Sequence, residues 1–557
     1  MTGGLLTGAV QRHWGRLLLG VLFLATHQAA EATVPVAIGL VIDQAVATGD
    51  WTALAWSVVG LAVLFTVLAF AWRFGARQSV LALERETHYL RVQVAKRVLD
   101  PRGQRTGMRS GELLSVASSD AERAALFIRA VSMGAAALAA LAVSSVALLT
   151  IDVPLGLGVI VGVPLLVLLT TRVAPLLTRH SAAQQEAAGR TTALATDLVS
   201  GLRTLRGIGA QHTAASRYRR SSEDALRASL RSAGTTGLYR GVTAAVSGLF
   251  LAAVAGFAGW FALTGRLTVG ELVTVIGLAQ FIAEPLQALG FCGQMAATAR
   301  ASAARLAKVL DSSPLVEPGT DDVSADEVSV ALHGVSYRTL SSVDLEVAAG
   351  EMVGLVAYDP RDADALLAVL GGQVADHDGS VLVNGTPAGE LGIDARRRVV
   401  LVEQHDVSLF EGSLRENLSV GAVLSDSELA AAVAAAAAED VVDVHPDGLD
   451  HSVADRGSSL SGGQRQRIGL ARALLADRPV LVLHDPTTAV DAMTEELIAE
   501  RLVARRAGRS TLVVTSSPAL LGKADRVVVL DEGRVARVGS HAELVEADET
   551  YRKAVLR

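Results

Sequence analysis

The residues with the clearest chemical capacity lie in one run, Leu460-Ser461-Gly462-Gly463-Gln464, continued by Arg465-Gln466-Arg467-Ile468-Gly469-Leu470-Ala471-Arg472-Ala473-Leu474-Leu475. Two glycines let the backbone approach a ligand closely, and Ser461 together with free backbone N–H groups supplies donors. The apolar periodicity after them predicts a helix whose N-terminus faces that ligand. The chemistry is anion binding. Such a site needs a rigid α/β scaffold behind it, and short β-rich runs at Val328–Leu332, Met352–Val356, Val399–Val402 and Val480–Leu483, each followed by a helical stretch, predict a parallel α/β core from about residue 328 to 557.

The rest of the chain is of another kind. With 557 residues, 50% hydrophobic and 19% charged, and a mean hydropathy of +0.39, it exceeds one domain and ordinary soluble composition. A net charge of −7 argues against a nucleic-acid partner. The single Cys292 excludes a disulfide framework or cysteine-based metal cluster and reads as a small buried apolar residue. The first residues, Met1 to Gly15, lack the anatomy of a cleavable signal.

Six stretches are long enough to span a bilayer, which takes ~20 apolar residues: about Leu17–Ile42, Ala53–Trp72, Ala130–Ile151, Pro154–Ala174, Val242–Leu263 and Leu272–Leu289. The connections after the first, third and fifth carry one basic residue between them, Arg266; those after the second and fourth, about Arg73–Arg129 and Arg172–Arg240, are long and Arg-rich. The positive-inside rule then puts the long connections and both termini in the cytoplasm, of a bacterial cell membrane in the simplest case. Each long connection has helical periodicity, with turning points expected at Pro101–Met108 and Gly209–Ala214. Charged groups within spans are costly and mark a cavity or an internal pair; His27 with Glu31, and Glu284 before Pro285, are the candidates for a substrate cavity. Residues 301–327 form a linker, turning polar with Pro and Gly after Asp311, between a transmembrane domain (1–300) and the α/β domain (328–557).

The run 460–475 resembles the signature motif of ATP-binding cassette (ABC) transporters over all of its residues, and the six-span layout with long cytoplasmic extensions resembles the exporter-type transmembrane domain of that family. Val34-Pro35, Gly39-Leu40-Val41-Ile42-Asp43 and Gly111-Glu112-Leu113-Leu114 share the likeness. The fold implied is an α-helical six-span membrane domain followed by an α/β P-loop-type nucleotide-binding domain. In this family the signature closes over ATP held on the partner's P-loop, and the turning points are coupling helices seated on nucleotide-binding domains.

The chain's own P-loop departs from the pattern. Such a loop needs glycines whose N–H groups cradle phosphate, a lysine for the β- and γ-phosphates and a Ser or Thr for Mg²⁺. After the strand Val353-Gly354-Leu355-Val356 the family's glycines are Ala357, Pro360 and Asp362, the lysine is Ala363, and the Mg²⁺-binding pair is Asp364-Ala365; no lysine occurs between Lys308 and Lys523. Pro360 lacks a donor, and Asp359, Asp362 and Asp364 outnumber Arg361 where a triphosphate would lie, each lost charge-assisted bond costing ~1.5–3 kcal/mol. The Walker B aspartate is His484, the general-base glutamate is the shorter Asp485, and the switch histidine is Ser516. The adenine-stacking aromatic appears as Thr339, with Tyr337 two residues away. Gln404 matches the Q-loop and Asp491 the D-loop. No convergent ligand set accompanies His484, so no metal site is expected in this chain.

The expectation is therefore a half-transporter that lends Leu460, Ser461, Gly462, Gly463, Gln464 and Asp491 to ATP and Mg²⁺ held mainly by a second half-transporter with intact Walker A and B motifs, hydrolysing ATP only as that heterodimer. Its partners are that subunit, the lipid bilayer and a small amphipathic molecule, lipid or peptide for export. Two rivals stand beside it: an importer on the same fold, for a siderophore-like substrate, and a pseudo-ATPase that acts as a regulatory or scaffolding subunit without transport.

Overall fold

In the computed structural model, residues 2–171, 174–317, 319–374, 376–454, 457 and 459–556 are described, without the side chains of 2, 3, 166, 167, 169–171 and 174–182. The polypeptide forms two compact units, one of residues 1–96 and 108–311, the other of residues 97–107 and 312–557.

The first unit is helical. Five of its helical segments, Trp14–Val46, Trp51–Val98, Ser110–Ile151, Gln211–Leu263 and Val269–Leu310, are long and apolar enough to cross a membrane. The fourth expected span is the apolar helix Val153–Thr171, shorter by the same measure; the end of that span, at Arg172 and Val173, lies outside the described residues. The last expected span is divided at Ile282 into helices Val269–Phe281 and Ala283–Leu310. At ~1.5 Å per residue, the 48 residues of Trp51–Val98 and the 53 of Gln211–Leu263 reach ~70–80 Å, far more than the ~30 Å of hydrocarbon in a bilayer. Each therefore continues without a break from span into extension. In the most apolar stretch of Trp51–Val98 no residue is buried in protein, which suits lipid as its surroundings.

Where helices meet, the contacting residues are small, as expected when close backbone approach replaces a hydrophobic drive. Helix Ala121–Ile151 buries Ala124, Ala125, Ala136, Ala137, Ala140 and Ser144, and a Cβ on Gly270 would run into the Gly39 carbonyl. Two buried acids are paired: Glu86, fully buried, takes Arg12 and His13 (3.1 Å), and Asp120 takes Ser302 (2.9 Å) and Arg305 (3.2 Å).

The second unit carries twelve strands among the described residues: β1 (Val330–Tyr337), β2 (Leu340–Val347), β3 (Met352–Ala357), β4 (Asp378–Val383), β5 (Thr386–Pro387), β6 (Val400–Glu403), β7 (Gly412–Ser413), β8 (Ser452–Val453), β9 (Val480–His484), β10 (Ser510–Val514), β11 (Arg526–Asp531) and β12 (Arg534–Gly539). The main sheet has the order β12-β11-β3-β10-β9-β6. It is parallel except for β12. Near-continuous Val and Leu in β3, β9 and β10, buried on both faces, are the composition such a sheet requires. A second, antiparallel sheet, β2-β1-β4-β5, packs its alternate residues Val330, Leu332, Val343 and Leu345 into the same core.

Candidate functional site

The signature run forms the helix Gly462–Leu475 capped by Ser461: the Ser461 hydroxyl accepts from Gln464 N–H (3.2 Å), and the Gln464 carboxamide oxygen accepts from Ser461 N–H (2.8 Å). This capping box leaves the N–H groups of Gly462 and Gly463 at a positive helix end, which attracts anions. Asp491 caps the helix Ala492–Arg505, accepting from Met493 (3.1 Å), Thr494 N–H (3.0 Å) and Thr494 Oγ1 (2.8 Å). The two helix ends are joined by Gln466, 9% exposed. Its amide donates to Thr488 Oγ1 (2.8 Å), and its carbonyl accepts from Ala489 N–H (3.0 Å). A Cβ on Gly463 would strike the Ala489 carbonyl, so the glycine permits the close approach. The signal for Gln466 in the sequence is slight, an amide among the small and apolar residues of the helix's buried face.

The loop after β3 is built differently. Only Tyr358 and Asp359 separate the strand from the helix Pro360–Leu370, so Pro360, Arg361 and Asp362 form the first helical turn. Asp359 caps it: its carboxylate accepts from Arg361 N–H (2.9 Å), its carbonyl accepts from Asp362 N–H (3.0 Å), and its oxygens also hold the Arg361 guanidinium at 2.6 Å. That guanidinium keeps the Asp359 carboxyl below its ordinary range, chiefly by direct hydrogen bonding. Pro360 has no N–H. The donors that would cradle phosphate are thus occupied by the chain's own carboxylate and carbonyl.

One expectation needs correction here. Asp362 does not project its charge toward a phosphate position: it is 2% exposed and accepts from Gly533 N–H (3.0 Å) in the β11–β12 turn. Glu532 and Gly533 both have positive φ there, 47° and 71°. Asp359 is likewise neutralised by Arg361, which leaves Asp364 as the exposed acid. Ala357 ends β3, while Ala363 and Ala365 are buried in the core where a lysine and a hydroxyl would have pointed outward. The Arg338 guanidinium lies 5.1 Å from the ring centre of Tyr337, over one of its two faces.

At the end of β9, His484 stands 5.8 Å, ring to ring, from His405 and 4.0 Å from Asp485. Burial lowers the His484 pKa, partly offset by Asp485. Asp485 has φ 46° and donates its N–H to the Val514 carbonyl (2.8 Å). Ser516 is exposed, just ahead of the helix Pro518–Leu521. Gln404 follows β6 into the small cavity that His405, His484 and Asp485 line. The preceding Glu403 is bound by Arg472 of the signature helix at 2.9 Å, and Arg472 also donates to the Ser408 carbonyl (3.0 Å). Burial raises the Glu403 pKa against the opposing pull of Arg472. No group of three or more His, Cys, Asp or Glu among the described residues is arranged to hold a metal. Of the pair Asp364-Ala365 only Asp364 offers an oxygen to Mg²⁺, and His484, at the end of β9, offers nitrogen where the resemblance puts a carboxylate.

The turn 97–107 belongs to this unit. Arg97 donates to the Ser312 carbonyl (2.6 Å), Leu315 and Val316 N–H donate to the Arg102 carbonyl (3.1 and 3.0 Å), and Arg105 pairs with Asp376 (3.1 Å). The second turn, at Ile208–Ala210 with Gly209 at φ 69°, lies in the first unit. There His27 meets Glu31 at 3.6 Å and the Leu68 carbonyl at 3.0 Å, while Glu284 is exposed at the start of its helix.

Residues 17–286 match the ABC transporter transmembrane region and residues 340–488 the ABC transporter domain. A multidrug efflux ATP-binding/permease protein of Mycobacterium bovis is 30% identical over 98% of this chain, and the chain spans 47% of its length. An ATP-dependent lipid A-core flippase of Xylella fastidiosa is 30% identical over 71% of this chain and 69% of its own. Among solved structures, a bacterial Atm1-family ABC exporter with ATP bound superposes with a TM-score of 0.78 at 23% identity, covering 98% of each chain. On these matches the chain belongs to the ABC transporter family, with a helical membrane region and a nucleotide-binding domain in one polypeptide.

Proposed function

We propose that this chain is one half of an asymmetric ABC exporter, pairing with a second half-transporter that holds ATP and Mg²⁺ on an intact P-loop. The observation that carries the reading is the contrast between two helix N-termini. At Gly462 the donors face outward on a platform braced by Gln466; at Pro360 they are taken by Asp359 or absent. Leu460 to Gln464 and Asp491 would serve the partner's nucleotide. The loop Ala357 to Ala365, with His484, Asp485 and Ser516, would sustain no turnover. Gln404 and the turn 97–107 would pass motion from this domain to the membrane helices, both termini being cytoplasmic. The mycobacterial relative, twice as long, has room for two such halves in one chain. Names of relatives, multidrug efflux and lipid A-core flipping, favour an amphipathic cargo exported from the membrane.

The test is Mg-ATPase activity of the purified chain alone and after reconstitution with a half-transporter bearing an intact P-loop. Background activity alone, and turnover of the pair that is lost on Ser461→Arg in this chain, is the expected result. Robust turnover by the homogeneous chain would overturn the reading.

A further inference from the structure

Between the helices Val153–Thr171 and Gln211–Leu263, both in the membrane unit, lies a groove of about 330 Å³. Pro154, Gly158 and Val159 line one side, and Phe250, Phe257 and Phe261 the other. Gly158 faces open space where a side chain would stand, while Phe250 fills the equivalent space at Gly162. The groove is thus open along one turn and floored at the next. Its volume is at the low end for small-molecule sites and suits a stretch of hydrocarbon chain.

Apolar lining alone selects nothing in a bilayer, because lipid tails are as apolar as the groove. The selective element is at its end. Arg266, just beyond the helix end at Leu263, donates through Nη2 to Asp152 (2.7 Å), and its guanidinium lies 4.2 Å from the centre of the Phe261 ring that lines the groove. Asp152 is 9% exposed and also accepts from Leu155 N–H (3.0 Å), so it is an anchor that is already satisfied. Arg266 is half exposed, and its Nε and Nη1 have no partner among the described residues. A guanidinium held at one end by a carboxylate and beneath by a ring, with donors left over, is pre-organised for an oxyanion such as phosphate.

We propose that this groove is a phospholipid site, one acyl chain lying between Gly158 and Phe257 and the phosphate on Arg266. The inference stands on the membrane unit alone and does not depend on how the nucleotide sites are shared.

The experiment is native mass spectrometry of the full chain in detergent micelles, after adding phosphatidylglycerol or diacylglycerol with the same acyl chains. Wild type should retain phosphatidylglycerol over diacylglycerol by about tenfold, the equivalent of one charge-assisted hydrogen bond. Arg266→Gln should erase that preference. Gly158→Phe, which fills the groove, should release both lipids, and Gly158→Ala, which barely intrudes on it, should release neither. Thermal melts of each variant separate loss of lipid from loss of fold. Equal retention of the two lipids by wild type, or undiminished retention by a folded Gly158→Phe protein, overturns the proposal. So does a change in oligomeric mass without lipid loss in Gly158→Phe, which would make the groove a contact with a second protein chain.

Discussion

Asp362 distinguishes two physical accounts of the altered phosphate loop. If its carboxylate acted by repelling phosphate, removing it would help nucleotide bind and leave the fold alone. Instead it is buried with Gly533 N–H as a partner at 3.0 Å, and Gly533 in turn accepts from Ser341 N–H at 2.8 Å, fastening the β11–β12 turn to the β1–β2 hairpin. Asp362→Ala strands a buried donor, at a cost of ~2 kcal/mol. For a domain of this size that corresponds to a fall in Tm of ~4–8 °C. Asp362→Asn keeps an acceptor oxygen and removes the charge, so its loss should be at most half as large. The assay is thermal unfolding of the purified chain, with photolabelling by an azido-ATP analogue on the same samples. An Asp362→Ala protein as stable as wild type, or one that gains labelling, would refute the structural role and restore the electrostatic one.

Three further outcomes are expected. Gln466→Leu keeps the size of the side chain but unpairs Thr488 and Ala489, so turnover of the reconstituted pair should fall about tenfold or more, a cost of ~1–3 kcal/mol; unchanged turnover would mean that the platform needs no brace. Arg472→Met leaves Glu403 without its cation and frees the Ser408 carbonyl, and hydrogen exchange over residues 403–408 should rise while that of β9 stays fixed. The lowered His484 pKa means that the unfolded chain binds a proton near its ordinary 6.5 that the folded chain resists; stability is present above that value and declines as pH falls through the lower folded one, and His484→Gln should flatten the decline in melts between pH 7 and 5.

What the sequence made legible follows the strength of local constraint. Span lengths, the parallel core and the capped signature helix are dictated by composition and period over many residues, so the helix Gly462–Leu475 and strands β3, β6 and β9 could be placed within a residue or two. Val328–Leu332, expected in the parallel core and ahead of a helix, instead enters β1 of the antiparallel sheet β2-β1-β4-β5 and is followed by β2, because alternation there is short and broken by register shifts between Leu332 and Tyr337 and between His333 and Ser336. Within the loop after β3, the missing lysine and glycines were readable; the burial of Asp362 was not, because its partner Gly533 lies 171 positions away in sequence. The same holds for Glu403 with Arg472, 69 positions apart. A charge that reads as repulsive in a linear motif can be a structural acceptor once the fold supplies a donor.

The turn 97–107 has a consequence for how the protein is made. The nucleotide-binding unit is discontinuous in sequence: its first eleven residues leave the ribosome 205 positions before Ser312, the residue that resumes it. At ~5–20 residues per second the turn waits about 10–40 s for the linker and loop groups that will pair with Arg97, Arg102 and Arg105. During that interval four more membrane helices must be inserted. The unit's completion is therefore tied to the order of synthesis, and a fragment beginning at the linker would start life with the carbonyls of Ser312 and Ser313 and the amides of Leu315 and Val316 deprived of their native partners.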